Sequence, residues 1–161
     1  AVIAGILARL QYYAIPIFSA PIIPKVSHKV ASYTKTLIGL FAVEMILGAV
    51  LILIPGQPNF LILAIIVVLA LATVYYAVRG VYYATMGEAG VPVAMTGTAT
   101  GIISVIGYLP DAYENTILGS FLDKYEAGGF TYVFGTVVLF AALGIVMCLI
   151  IRAKGKRGKK A

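Results

Sequence analysis

The stretch Phe130 to Ile151, FTYVFGTVVLFAALGIVMCLII, runs for 22 residues without a charged side chain. At a rise of ~1.5 Å per residue, a helix of that length reaches the ~30 Å thickness of a bilayer's hydrocarbon core. Four further apolar stretches precede it: Ala1 to Ile23, Thr36 to Ile54, Phe60 to Tyr83 and Val93 to Leu118, separated by short polar or Pro/Gly breaks. With 61% of its residues hydrophobic and 11% charged, a 161-residue chain has more apolar surface than one aqueous core can cover. Backbone groups in lipid must be satisfied within their own segment, and stretches this apolar lack the polar lumen face of barrel strands. The expected fold is all-α: a polytopic integral membrane protein with five transmembrane helices at about 1–23, 36–54, 60–83, 93–118 and 130–151, then a basic tail at 152–161.

Charge orients these helices. Six of the twelve cations, Arg152, Lys154, Lys156, Arg157, Lys159 and Lys160, lie in the tail, which accounts for the net +6. The basicity is therefore local and gives no nucleic-acid-binding surface. The break Pro24 to Lys35 holds Lys25, Lys29 and Lys35, whereas PGQPN at 55–59 holds no cation and Gly119 to Gly129 holds only Lys124 beside Asp123 and Glu126. Cations alternate with the crossings, so the C-terminus is expected in the cytoplasm and the N-terminus outside. The chain opens Ala-Val-Ile inside an apolar run, without the flank of a signal peptide, which reads as a piece of a larger membrane protein. Cys148 is the single cysteine, so no intramolecular disulfide is expected.

Glu44 is the sharpest chemical signal. It stands eight residues into the second apolar stretch, roughly 12 Å along the helix and near mid-membrane. A charge there costs on the order of 3 kcal/mol. Two readings account for it: a protonatable coupling site, or a neutral acid hydrogen-bonded between helices. Arg79 lies in TVYYAVRGVYYA, where Tyr75, Arg79 and Tyr82 are spaced i, i+4, i+7 on one helix face. A guanidinium among tyrosines suits an anionic or hydroxylated solute, through cation–π contact and bidentate bonding. The competing reading places Arg79 roughly 28 Å from Phe60, at the cytoplasmic interface, where arginines snorkel and tyrosines form belts. Arg9, beside Gln11, Tyr12 and Tyr13, falls in the outer part of the first helix, against the positive-inside trend. It calls for a water-filled cavity or an acidic partner, or else it reaches the outer headgroups.

In TGTATGIISVIGYLPDAY, Gly97 and Gly101 permit close helix approach, Thr98, Thr100 and Ser104 offer cross-helix hydrogen bonds, and Gly107, Pro110 and Asp111 favour a bend. One histidine and one cysteine exclude the usual zinc motifs, and there is no nucleophile elbow or P-loop. Neither metal, cofactor nor enzymatic activity is expected.

The order of features resembles the C-terminal half of a major facilitator superfamily transporter, its eighth to twelfth helices. PKVSHKVASYTK stands where that superfamily has a cytoplasmic signature, with Lys29 and Lys35 at basic positions and His28 in place of the acid. The stretch RGVYYATMGEAGVPVAMTGTATGIISVIGYLPDAYENTILGSFLD, Arg79 to Asp123, is similar to the tenth and eleventh helices of bacterial members. The resemblance implies a bacterial inner-membrane location, a gating role for His28, Lys29 and Lys35, and a missing N-terminal half that completes the cavity. The expected function is a fragment of a secondary transporter that moves a small polar or anionic solute by alternating access, with H+ or Na+ as the co-transported ion. The alternative is a complete five-helix membrane subunit or assembly factor that transports nothing.

Overall fold

The structure, a computed structural model, describes residues 9, 13, 15–17, 30, 32–55, 57–125 and 128–158. Helices dominate, and no strand occurs among the described residues. We number them α1 (Tyr33–Leu53), α2 (Leu61–Val81), α3 (Thr85–Glu88), α4 (Thr96–Tyr125) and α5 (Gly129–Gly158). Four spans are long and apolar enough to cross a membrane: Tyr33–Leu53, Pro58–Glu88, Val93–Tyr125 and Gly129–Lys154. The protein is an all-α polytopic membrane protein. The helix expected at 1–23 lies outside the described residues, apart from Arg9, Tyr13 and 15–17.

Each boundary departs from the hydropathy pattern for a local reason. Helix α1 starts at Tyr33 rather than Thr36, because Ser32 adopts an extended conformation and its hydroxyl accepts the Lys35 N–H. The run after Leu61 does not stop at Tyr83. It passes through a 3-10 turn, Tyr82–Ala84, into α3, and ends where Gly90 takes φ +80°. Helix α4 continues through Pro110 as far as Tyr125. Helix α5 carries on past Ile151, so the basic tail begins as helix.

Helices α1 and α5 pack antiparallel. The Phe41 ring lies against Gly144, and a Cβ built on Gly48 would stand 3.0 Å from Val138 Cγ2 and 3.7 Å from the Phe134 carbonyl. Thr34, Leu37, Glu44, Gly48 and Leu51 are the buried positions on this face of α1. Their three- and four-residue spacing, with Phe41 between, makes one stripe along the helix. Helix α2 closes the other side, where Leu37, Ala77, Val81 and Cys148 form a core shared by three helices. Helix α4 buries no side chain among its described residues. It meets α5 at their connection, where Tyr132 lies 4.6 Å from the Tyr125 ring and 5.7 Å from Phe121. Val43, Ile46 and the other outward apolar side chains of α1 are exposed, as lipid-facing positions are.

Gly48 is what lets α1 and α5 approach. Gly48→Val should overpack the seam, cost about 1–3 kcal/mol, and lower the unfolding midpoint of the detergent-solubilised protein. Gly97→Ala, at a glycine whose Cβ would meet nothing within 4 Å, should leave the midpoint unchanged. Equal midpoints for both variants would contradict the close approach.

Candidate functional site

Polar side chains gather where α2 and its 3-10 extension face α4. The spacing of Tyr75 and Arg79 puts both on one side of α2, and Arg79 Nη1 donates to Tyr75 Oη at 3.1 Å. The guanidinium carbon stands 5.5 Å from the Tyr75 ring centroid and 4.7 Å from that of Tyr108 on α4. Rings on two helices thus flank one cation, an arrangement stabilised by the negative face of each π-system. One turn on, the Tyr82 and Tyr83 rings lie 3.9 Å apart at 34°, and the Tyr83 hydroxyl pairs with Ser104 Oγ at 2.6 Å. Ser104 and Tyr108 are i, i+4 on α4, so one face of that helix supplies both contacts.

The helical run around Arg79 is longer than the hydropathy suggests. The run continues past Arg79 through the 3-10 turn Tyr82–Ala84 to Glu88, and Ala77 and Val81, on either side of Arg79, pack against Leu37 and Cys148, about one turn from the start of α1. Of the three residues spaced along this face, Tyr75 and Arg79 are in direct contact, whereas Tyr82 lies against Tyr83 and packs on the Leu37, Ala77, Val81 and Cys148 core. Tyr108 was missed, because hydropathy does not say which face of α4 turns toward α2. Its position four residues after Ser104, level with an arginine–tyrosine pair, was the available signal.

Glu44 occupies the middle of the α1–α5 stripe, 9% exposed, between the Phe41–Gly144 and Gly48–Val138 contacts. Among the described residues it has no hydrogen-bond or ion-pair partner. Arg9 is helical and exposed and forms no ion pair with Glu44. The seam is therefore a different locality from the tyrosine-flanked arginine.

A third polar cluster was not anticipated. Glu88, at the end of α3, caps the N-terminus of α1. Its carboxylate accepts from the Tyr33 N–H at 2.5 Å, the Thr34 N–H at 3.0 Å, the Ser32 hydroxyl at 3.0 Å and the Thr34 hydroxyl. Ser32 in turn takes the Lys35 N–H at 3.3 Å through its hydroxyl and the Thr36 N–H at 3.2 Å through its carbonyl. All four donors of the first turn are satisfied, two of them by a residue more than fifty positions away. Negative charge at a helix N-terminus is favourable for the same reason. Of the expected gating residues, Lys35 lies in this first turn with its side chain exposed, while His28 and Lys29 lie outside the described residues.

No protein-family model matches the chain. No solved structure matches it either. Two proteins of Escherichia coli (strain K12) are similar. Inner membrane protein YqcE is 34% identical over 119 residues, covering 74% of this chain and 28% of YqcE. Inner membrane protein YihN is 26% identical over 160 residues, covering 98% of this chain and 38% of YihN. The chain thus spans well under half the length of either relative. These findings overturn the resemblance to the C-terminal half of a major facilitator transporter: no family model supports it, and both relatives carry the plain description of inner membrane proteins. Gly, Thr, Ala, Tyr and Pro recur in many apolar helices, and their order alone is weak evidence of descent. The gating role implied for His28, Lys29 and Lys35 loses its basis with the resemblance. Four apolar spans and two inner membrane relatives establish a multi-pass inner membrane protein.

Proposed function

We propose that this chain forms one wall of a secondary carrier for a small polar or anionic solute. The observation that supports the reading is Arg79, held within a membrane span between tyrosines of two helices. Intramembrane cations are costly, and a cation flanked by hydroxyl-bearing rings suits oxyanion or hydroxyl recognition. In this reading Arg79, Tyr75 and Tyr82 contact the solute, Glu44 carries the coupling ion, H+ or Na+, and the remainder of the carrier supplies the facing wall. The carrier makes and breaks no covalent bond. The ends bearing Lys35 and Arg152 face the cytoplasm, following the positive-inside rule.

The test is a thermal-stability screen of the full-length protein in detergent against carboxylates, sugars and sugar phosphates, followed by uptake into proteoliposomes. A solute that stabilises the protein should also be taken up. Arg79→Lys keeps the charge but loses the planar fork, and should reduce uptake of that solute tenfold or more, on the order of 1.4 kcal/mol. Unchanged uptake in the Lys variant would return Arg79 to an interfacial anchor. If no solute in the screen stabilises the protein or is taken up, the non-transporting subunit takes the carrier's place.

Orientation has its own measurement. In a Cys148→Ser background, an impermeant maleimide added outside spheroplasts should label Gln57→Cys and spare Lys154→Cys; both positions are exposed. The reverse pattern would invert the topology.

A further inference from the structure

The end of the bundle where α1 begins and α5 leaves the membrane carries cations that the fold itself does not use. Phe41 against Gly144 and Gly48 against Val138 set the α1–α5 register. Extended along both helices, that register brings Arg152 level with Tyr33, and Lys154 less than one turn beyond it. Lys35 follows in the first turn of α1. All three side chains are exposed, and none has an ion-pair partner among the described residues. The carboxylate at this end does not neutralise them, because Glu88 is filled by the hydroxyls and amides of Ser32, Tyr33 and Thr34.

Depth fixes what such a cluster meets. Arg152 lies roughly 35 Å along α5 from Gly129, and Lys35 roughly 27 Å along α1 from Leu53. Against a hydrocarbon core of ~30 Å, both positions fall at headgroup level. Continuation of α5 as helix to Gly158 keeps Arg152 and Lys154 on a rigid rod rather than a loose tail. Lys156 and Arg157 follow on the same helix. We propose that Lys35, Arg152 and Lys154 form a cationic rim around this end of α1 and α5 that binds the phosphate headgroups of anionic glycerophospholipid. The site is independent of any solute path.

The test uses the full-length protein in a neutral detergent, titrated with dioleoylphosphatidylglycerol, with dioleoylphosphatidylcholine, or with inorganic phosphate, the unfolding midpoint being read. Phosphatidylglycerol should raise the midpoint, the zwitterionic lipid should not, and the gain should shrink at high salt. Each cation near an anionic surface is worth about fivefold in binding, so Lys35→Gln/Arg152→Gln/Lys154→Gln should weaken the phosphatidylglycerol effect ~100-fold. Lys124→Gln, in the last turn of α4, should leave it intact. Should the triple variant not be recovered folded, the single variants carry the test, each expected to shift the titration about fivefold. Equal stabilisation by both lipids, or an unshifted titration in the variants, overturns the site. Stabilisation by inorganic phosphate to the same extent assigns it to a free anion and overturns the lipid.

Discussion

Glu44→Gln is expected to abolish gradient-driven accumulation by the full-length protein while leaving solute exchange and membrane expression near normal. The carboxyl lies in the α1–α5 seam between two close contacts, and no described donor engages it. An acid that merely ties helices together needs a hydrogen-bond partner, which Gln can largely keep. A coupling site has to exchange its ion once per cycle, which Gln cannot do. One elementary charge crossing ~100 mV carries ~2.3 kcal/mol, enough to sustain about 50-fold accumulation, and the variant should lose all of it. Counterflow needs no net ion movement and serves as the internal control. Surviving accumulation would remove Glu44 from coupling. Collapsed expression with no folded protein would make it a structural residue and place coupling elsewhere in the carrier.

The second large effect concerns stability. Glu88→Ala strips the acceptor from two backbone amides at the start of α1 and from two hydroxyls, including that of Thr34, which is 1% exposed. Buried donors left unsatisfied cost ~1–3 kcal/mol each, so a loss of roughly 3–5 kcal/mol is expected. For a chain of this size that lowers the unfolding midpoint by roughly 10 °C or more. Glu88→Gln retains one acceptor oxygen but points an N–H at the remaining donors, and should fall between the two. Cys148, buried in the core that joins α1, α2 and α5, should label faster with a maleimide in the Ala variant. A midpoint and labelling rate equal to the wild type would mean that water replaces the cap at no cost.

Much of the fold is legible in the hydropathy of the chain, because lipid imposes length and internal hydrogen bonding on any crossing segment. Helix ends are less legible. The start of α1 depends on Ser32, a local signal, and on Glu88, a distant one that no window of sequence connects to it. The apolar run ends near Tyr83, yet helical turns continue until Gly90 breaks them. Facing was the least legible property. Helix α1 is apolar nearly all round, so the choice of Glu44 and Gly48 for the seam rests on the small side chains of Gly48 and Gly144. Pattern does not disclose that fit until both helices are present.

The cap on α1 also sets a clock. Glu88 follows Ser32 by 56 positions. At a synthesis rate of ~5–20 residues per second, the carboxylate emerges roughly 3–11 s after the helix it completes. During that interval α1 is in the bilayer with two amides of its first turn bound to water or headgroups instead of Glu88. The first turn of α1 therefore matures only when the α2–α3 segment arrives, and biogenesis of this bundle proceeds with α1 finished by a later segment.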